Sequence, residues 1–183
     1  DPRVRYTKKI LKDSLIELMK ERPVREIGIN QICTLAGVSR STFYAHYDNV
    51  NDLLEQIEEE EVVNIKNLED YSSLDKRSRR EIEAAAEKIL QYIAANEVIR
   101  VLISENGDTD FQKRMFSEHV ATLQEKIQKK SGIPADKDIH ESYSVFLAYG
   151  SIGLLQYWFK ENMHIPIPAL AKILVSLIHD TIR

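Results

Sequence analysis

The sequence predicts an all-α protein with a small N-terminal helix-turn-helix domain and a larger helical C-terminal domain. Apolar residues recur at spacings of three and four through most of the chain, which is typical of helices packed on one face. Alternation typical of strands is rare, and turn-forming residues divide the chain into segments of helical length. Of the 183 residues, 43% are hydrophobic and 30% charged, so the chain can build a core beneath a polar surface.

The first predicted helix starts at a cap on Thr7 and runs to about Arg22, where Pro23 marks its end. Its inner face carries Ile10, Leu11, Leu15, Leu18 and Met19. Val24 and Ile27 then lead into the next element, so residues 7–47 form a compact three-helix unit.

Residues 29–47 predict two short helices joined by a tight turn. Ile29, Ile32 and Leu35 fall on one face of the first helix. Gly37 is suited to a left-handed cap, and Ser39 to capping the second helix with its hydroxyl. The residues left to point outward from the second helix are Arg40, Ser41, Thr42, Tyr44 and His46. This layout indicates a DNA-reading helix-turn-helix, whose second helix enters the major groove.

Beyond this unit, apolar spacing and chain breakers predict six further helices. They cover residues 49 to about 69, 79–95, about 97–104, 108–130, 138–162 and 166 to about 182. Residues 70–78 are expected to be a loop. We therefore divide the chain into a DNA-binding domain, residues 1–48, and a ligand-binding and dimerisation domain, residues 49–183, with helix 49–69 connecting them.

Charge is distributed unevenly along the chain. The net charge of −4 divides into +4 over residues 1–47 and −8 over residues 48–183. Residues 1–47, called the head below, are basic and the rest of the chain is acidic, so phosphate is attracted to the head only.

The single Cys33 excludes an internal disulfide and fits a reducing cytoplasm, and its place in an apolar register favours a buried hydrophobe. No signal peptide or membrane-spanning run is visible, so we expect a cytoplasmic protein.

The segment from Thr7 to Leu54 resembles the DNA-binding domain of the TetR family of bacterial transcriptional regulators. The matched elements are Ile27-x-Ile29-x-x-Ile32, Ala36-Gly37-Val38-Ser39, Phe43-Tyr44-x-His46-Tyr47 and Leu53-Leu54. Each element alone is weak, but their combination at fixed spacing is specific. The resemblance implies a homodimer that binds a palindromic double-stranded operator and releases it when an unidentified small molecule enters the C-terminal domain, and it favours a repressor.

The resemblance also assigns roles to residues of the head. Arg40, Ser41 and Thr42 are expected to read base edges, since arginine suits guanine and a threonine methyl suits thymine. Phosphate contacts or packing against the first helix are expected of Tyr44, His46 and Tyr47, with Tyr44 favoured for phosphate, Tyr47 half in the core and Phe43 fully in it. Further contacts are expected from Gly28, Asn30, Gln31 and a basic N-terminal arm of Arg3, Arg5, Lys8 and Lys9, unless that arm is simply a solvated terminus.

Two departures from the family pattern concern phosphate contacts. Gly28 stands where the family usually has a serine or threonine, and Val50 where it often has a lysine. Asp48 and Asp52 lie beside Val50. Because phosphate contacts dominate DNA affinity, we expect operator binding that is weaker or more salt-sensitive than is typical of the family.

The C-terminal half offers two further sets of candidates. The expected ligand-binding residues are Tyr92, Phe111, Met115, Phe116, His119, Tyr143, Phe146 and Tyr149. The expected dimer interface comprises Gly150, Gly153, Leu154, Tyr157, Leu170, Ile173, Leu174, Leu177 and Ile178. For both sets the alternative is that the residues simply pack in the core of one chain. His119, His140 and Glu141 lack the spacing of metal ligands, so neither a metal nor a cofactor is expected.

Two other classes of function stay open. A helical co-regulator would act through a protein partner rather than by binding DNA alone, an alternative motivated by Gly28, Val50 and the acidic run between Asp48 and Glu61. An enzyme is the remaining class, but the sequence contains no phosphate-binding glycine loop, metal cluster or nucleophile motif.

Overall fold

The computed structural model describes residues 1–68, 77–116 and 137–180, and these residues form helices and turns without any strand. The helices are α1 (Pro2–Met19), a 3₁₀ turn (Val24–Glu26), α2 (Ile29–Ala36), α3 (Arg40–Tyr44), α4 (Val50–Leu68), α5 (Arg79–Ala95), α6 (Glu97–Ile103), α7 (described over 109–116), α8 (Lys137–Lys160) and α9 (Ile167–Asp180). The predicted all-α class and the order of its elements are confirmed.

The start of α1 differs from the prediction. Asp1 caps this helix by accepting a hydrogen bond from the backbone N–H of Arg3, and Pro2 occupies the first turn. Thr7 is therefore inside the helix, where its hydroxyl donates to the carbonyl of Arg3 at 3.0 Å. The helix also ends at Met19, ahead of the predicted Arg22, and a turn leads on to Pro23.

The helix-turn-helix unit, α1 to α3 with the turn that follows (residues 2–47), packs around one side of the core. Leu11, Leu15, Met19, Ile32 and Phe43 are each completely buried. Cys33 is buried as well, as its apolar register predicts. Leu35, assigned to one helical face with Ile32, does not share its burial, because the Leu35 side chain is 51% exposed at the edge of the eight-residue α2.

The helix α4 extends this core into the C-terminal domain. Leu53, Leu54, Ile57 and Ile65 are buried in a cluster shared with α1 and with α5 to α7. Two charged residues of α4, Glu58 and Glu61, are also buried, at 2% and 3% exposure, which the sequence analysis did not anticipate.

In the C-terminal domain, α5 lies along α9, and α6 fills the space between α1 and α8. Ser78 caps α5 in a reciprocal capping box with Glu81, and Asn96 ends α5 while capping α6. Trp158 is buried at the centre and donates its indole N–H to the carbonyl of Ile165 at 2.9 Å. The predicted loop at 70–78 and the predicted end of a helix at Lys130 lie largely or wholly outside the described residues.

Candidate nucleic-acid interface and C-terminal surfaces

The turn between α2 and α3 has the geometry that its sequence predicts. Gly37 adopts the left-handed conformation, with φ of 68° and ψ of 31°, and ends α2. The Ser39 hydroxyl accepts the backbone N–H of Thr42 at 3.1 Å and so caps α3. This short backbone path fixes α3 at an angle to α2 and leaves one side of α3 without protein cover.

The exposed side of α3 carries most of the residues predicted to read DNA. Arg40 and Ser41 are exposed, and Tyr44 is 49% exposed. Thr42 is half-buried, and its hydroxyl lies 2.9 Å from that of Ser39, so it participates in the cap as well as bordering the exposed side. His46 is half-buried beyond the end of α3.

Tyr47 packs inside the helix-turn-helix unit, so it is a weaker candidate for a DNA contact than the exposed residues of α3. Only 5% of its surface is exposed, and its ring centroid lies 5.7 Å from that of Phe43. Burial raises the pKa of Tyr47, so its phenol stays neutral. The Lys8 ammonium lies 5.5 Å from the centre of the Tyr47 ring, a cation–π contact that holds this positive charge close to α3.

The expected basic N-terminal arm is a helix. Arg3, Arg5 and Lys8 are exposed in the first turns of α1, and Lys9 is paired with Asp13 at 2.5 Å. Successive helical residues are rotated by about 100°, so Arg3 and Arg5 point in nearly opposite directions, whereas Arg5 and Lys8 share a side. The expected contacts of these residues with the DNA backbone or an adjacent minor groove stay a prediction, and they would be made from a helix.

The entrance to α2 uses its own polar groups internally. The Gly28 backbone N–H donates to the Gln31 side-chain oxygen at 2.8 Å, which is the half of a capping box that needs no hydroxyl at position 28. That N–H is therefore not available for a phosphate, contrary to the expectation for Gly28. Asn30 is exposed beside it.

The start of α4 is acidic and internally bonded. Asp52 accepts the backbone N–H of Asp48 at 2.9 Å, and its own N–H is capped by Asn49 at 3.1 Å. The neighbouring Val50 is half-buried and offers no positive charge. This end of the surface is thus built for helix capping rather than for binding phosphate.

The expected ligand-binding residues do not form one site. Phe111 and Met115 are buried, and Tyr92 and Phe116 are half-buried against the same core. Phe146 and Tyr149 are 65% and 47% exposed on α8, where they line an open groove of about 700 Å³ together with Val145 and Gly150. The side chains of His119 and Tyr143 lie outside what the structure describes.

A buried carboxylate lies next to the α7 residues of this set. Glu58 accepts a 3.4 Å hydrogen bond from the exposed Arg114, while its other oxygen is buried without a hydrogen-bond partner. Burial raises the pKa of Glu58 to about 8, Asp108 contributes to the rise, and Arg114 opposes it. The helical spacing of residues 54, 58, 61 and 65 is the signal that could have identified the two buried acids within the acidic run.

A cleft of about 550 Å³ lies where α1, α6 and α8 meet, and it contains none of the predicted ligand residues. Its lining includes Lys20, Arg100, Lys160, Glu97 and Phe159. Lys20 bridges two of the elements through an ion pair with Glu97 at 2.9 Å. Most of its lining residues are polar or charged, and the cleft lies between the helix-turn-helix unit and the C-terminal domain.

The expected dimer residues divide into two groups. Gly150, Gly153, Tyr157, Ile173 and Leu177 are exposed. Leu170 is completely buried within the chain, so its assignment to an interface is wrong, and the half-buried Leu154 and Leu174 pack against the same core. The side chain of Ile178 is outside the described set.

The exposed apolar residues of α8 and α9 form a surface that we call the α8–α9 face. It comprises Val145, Phe146, Tyr149, Gly150, Gly153, Tyr157, Ile173 and Leu177. The α8 members lie within less than half a turn of one another around the helix axis. A Cβ added at Gly150 or Gly153 would meet no atom of the described residues within 4 Å, so nothing in that part of the chain explains those glycines.

Within the described ranges, no helix is both long and apolar enough to cross a membrane. The same ranges contain no group of three metal-binding side chains.

Two family models match the chain. One described as "Transcriptional regulator C-terminal region" matches residues 80–180, more than half of the chain. One described as "Bacterial regulatory proteins, tetR family" matches residues 13–57, which contain α2, α3 and the start of α4. Among curated protein sequences, none matches significantly.

Solved structures with the same fold cover nearly the whole chain. A TetR transcriptional regulator from Streptococcus agalactiae 2603V is 22% identical, with a TM-score of 0.68, covering 97% of this chain and 96% of its own. The regulator FadR from Bacillus subtilis, in complex with stearoyl-CoA, is 14% identical with a TM-score of 0.64, covering 96% and 99%. The dihydroxyacetone kinase operon activator DhaS is 19% identical with a TM-score of 0.53, covering 96% of each chain.

Proposed function

Because this chain belongs to the TetR family of bacterial transcriptional regulators, we propose that it is a homodimer that binds a palindromic operator and responds to a small molecule. The observation that carries the proposal is the exposed side of α3. Arg40, Ser41 and Tyr44 are held there by the Gly37 turn and the Ser39 cap, on the part of the chain with net positive charge.

Each residue of this surface has a role that fits its chemistry. Arg40 reads guanine, since its planar fork meets two acceptors on one base edge. Ser41 and the partly covered Thr42 contact neighbouring bases, while the exposed hydroxyl of Tyr44 donates to phosphate. Arg5 and Lys8, which share a side of α1, add phosphate contacts near α3, as do Asn30 and Gln31 near the start of α2. His46 is a marginal contributor because it is half-buried.

The α8–α9 face supports the dimer. Monomeric soluble proteins rarely expose an apolar surface of this kind, and a second copy related by twofold symmetry would cover it. The two glycines would let the backbones of symmetry-related α8 helices approach closely. One five-residue helix contacts few base pairs, whereas two related heads read half-sites about one DNA turn apart.

We propose that the effector binds within the C-terminal domain. The fold relative in complex with stearoyl-CoA supports a small-molecule effector, and the cleft between α1, α6 and α8, at the border of this domain, provides one candidate place. An effector acts only through its different affinity for two arrangements of the helices. We favour repression as the outcome, although the fold relative DhaS is an operon activator.

A second candidate function is a co-regulator that binds DNA only together with a protein partner. It is favoured by the backbone N–H groups around the reading surface that are already used internally, namely those of Gly28 and Asp48. Fewer free phosphate contacts mean lower affinity for DNA alone.

Selection of random duplexes on the purified protein tests the proposal. The expected result is enrichment of a palindrome, bound by the dimer without any other protein. Enrichment of no sequence at low salt would contradict the proposal and favour the co-regulator.

Arg40→Lys and Arg40→Ala then separate base reading from charge. Arg40→Lys keeps the positive charge, so it retains binding to unrelated DNA, but it loses roughly 1–3 kcal/mol of discrimination at one base pair per half-site. Arg40→Ala loses both. Equal discrimination by wild type and Arg40→Lys would remove Arg40 from the base-reading set.

A further inference from the structure

Glu61 is a buried charge at the junction between the helix-turn-helix unit and the C-terminal domain. Its side chain is 4% exposed on α4. The Tyr92 hydroxyl of α5 donates to its Oε2 at 2.6 Å, and the Asn96 side-chain amide donates to the same oxygen at 3.0 Å. Burial, and then the bond to Glu61, raise the pKa of Tyr92, so its hydroxyl keeps the proton that it donates.

The other carboxylate oxygen of Glu61 faces α1. It lies 4.0 Å from the ammonium of Lys12, which is itself largely covered, at 22% exposure. Lys12 also pairs with Glu60 at 2.7 Å, but Glu60 is 62% exposed. Both acids therefore hold Lys12 of α1 against α4, and Glu61 in addition accepts hydrogen bonds from Tyr92 and Asn96 of α5.

The contacts continue through α6 and return to α1. The side-chain oxygen of Asn96 caps α6 by accepting the backbone N–H of Val98 at 3.0 Å. Glu97, the first residue of α6, pairs with Lys20 near the end of α1 at 2.9 Å. The helices α1, α4, α5 and α6 are thereby joined in a closed ring of polar contacts, in which Glu61 contacts two other helices at once.

We propose that Glu61 is the residue that sets the position of the helix-turn-helix unit relative to the C-terminal domain, by tying Lys12 of α1 to Tyr92 and Asn96 of α5. A buried carboxylate is costly without donors, so Glu61 must follow if α5 moves. Resting on the function proposed above, Glu61 then transmits an effector-driven shift of α5 to α3. Tyr92, expected from the sequence to touch the ligand, instead belongs to this connection.

A distance measurement within one chain tests this without DNA or effector. Spin labels are placed at Leu35→Cys, an exposed site on α2, and at Gln91→Cys, an exposed site on α5, in a Cys33→Ala background. Dilution with unlabelled chain restricts the signal to pairs within one chain. The label-to-label distance distribution then reports the position of one domain relative to the other.

The matched variants are Glu61→Gln and Glu60→Gln, which remove the same charge from neighbouring positions of α4. We expect Glu60→Gln to keep the wild-type distribution and Glu61→Gln to broaden it at least twofold or to shift its mean. Tyr92→Phe, which removes one hydroxyl, should change the distribution in the same direction. If Glu61→Gln fails to fold, Tyr92→Phe decides the test, and wild-type distributions in both folded variants overturn the proposal.

Operator affinity tests the functional half of the proposal. Both glutamine variants make α4 equally less acidic, so their general attraction to DNA is matched. We expect Glu61→Gln to bind the selected operator about tenfold more weakly than Glu60→Gln, within the usual range of coupling between sites. Equal affinities would overturn this half. If no operator exists, the regulator proposal fails while the distance measurement still decides the role of Glu61.

Discussion

The two exposed surfaces of this molecule differ in the chemistry that they present. The surface of α3 offers a guanidinium, hydroxyls and a phenol, on a segment of net charge +4. The α8–α9 face offers aromatic and aliphatic side chains, including Phe146 at 65% and Leu177 at 50% exposure, on a segment of net charge −8. The first fits a polyanion, and the second fits another apolar surface.

This difference shows why overall composition is a poor guide to the partners of the chain. A net charge of −4 argues against DNA only if the charge is spread evenly. Attraction to phosphate depends on the local field, while apolar association depends on the area removed from water. The two surfaces are therefore expected to respond in opposite ways to the same change of conditions.

Salt gives the largest expected contrast. Raising monovalent salt from 50 to 200 mM should weaken operator binding by roughly a thousandfold, because each neutralised phosphate releases counterions. The dimer dissociation constant should stay within about twofold or fall. Fluorescence anisotropy with labelled operator and analytical ultracentrifugation measure the two quantities. Parallel loss of both affinities would mean that the dimer is held by charge and that the comparison is wrong.

A negative charge placed on the α8–α9 face gives the next largest effect. Leu177→Glu should weaken the dimer by roughly a hundredfold, because association would bury an unpaired carboxylate. Leu35→Glu is the matched control, since Leu35 is 51% exposed and Leu177 50%, but Leu35 lies on α2. Ultracentrifugation should show a dimer for Leu35→Glu and monomers for Leu177→Glu at the same concentration. Identical behaviour of the two variants would remove the α8–α9 face from the interface.

The head was predicted well because its signals are short-range. The cap at Ser39 and the left-handed Gly37 depend on residues within four positions, and both are confirmed. The error at Thr7 has the same origin, since Asp1 and Pro2 supply an earlier and complete start signal. The Gln31 side chain that occupies the Gly28 N–H was also within reach of sequence reasoning, as half of a capping box.

The C-terminal domain was predicted only at the level of its helices. Periodicity places Phe146, Tyr149 and Leu170 on helical stripes, but it does not say whether a stripe faces the same chain, a second copy or a ligand. The structure buries Leu170 and exposes the two aromatics. Such choices depend on tertiary packing between α5, α8 and α9, which no local pattern encodes.

The protonation of Glu58 makes the stability of the folded chain depend on pH, and it does so in the buried core rather than on either exposed surface. Because the pKa of Glu58 is raised to about 8 in the folded chain, folding retains a proton that the unfolded chain releases above about pH 4.3. Stability is therefore lost as pH rises towards 8. Glu58→Gln lacks this loss, so its stability advantage over wild type should grow by about 2 kcal/mol between pH 6 and pH 8.

Chemical denaturation of both proteins at fixed protein concentration measures this difference. Glu59→Gln is the control, because Glu59 is exposed on the same helix, and its difference from wild type should change little with pH. A constant difference for Glu58→Gln over this range would show that its carboxylate is ionised throughout, held by Arg114.

The smallest expected effects come from glycines, one on each side of the comparison. Gly37→Ala should destabilise the chain by about 1 kcal/mol, as measured by melting, because alanine is strained at φ of 68° although no described atom lies within 4 Å of its Cβ.

Gly150→Ala also meets no described atom within 4 Å, but it lies in a helix interior, so it should stabilise the isolated chain by up to about 1 kcal/mol. If the α8–α9 face joins two copies closely, the same methyl should weaken the dimer. Opposite signs for folding and dimerisation at Gly150, measured by melting and by ultracentrifugation, would show that this glycine is there for the partner copy. A gain in both would place the contact elsewhere on α8, with Phe146 and Tyr149 the next positions to change.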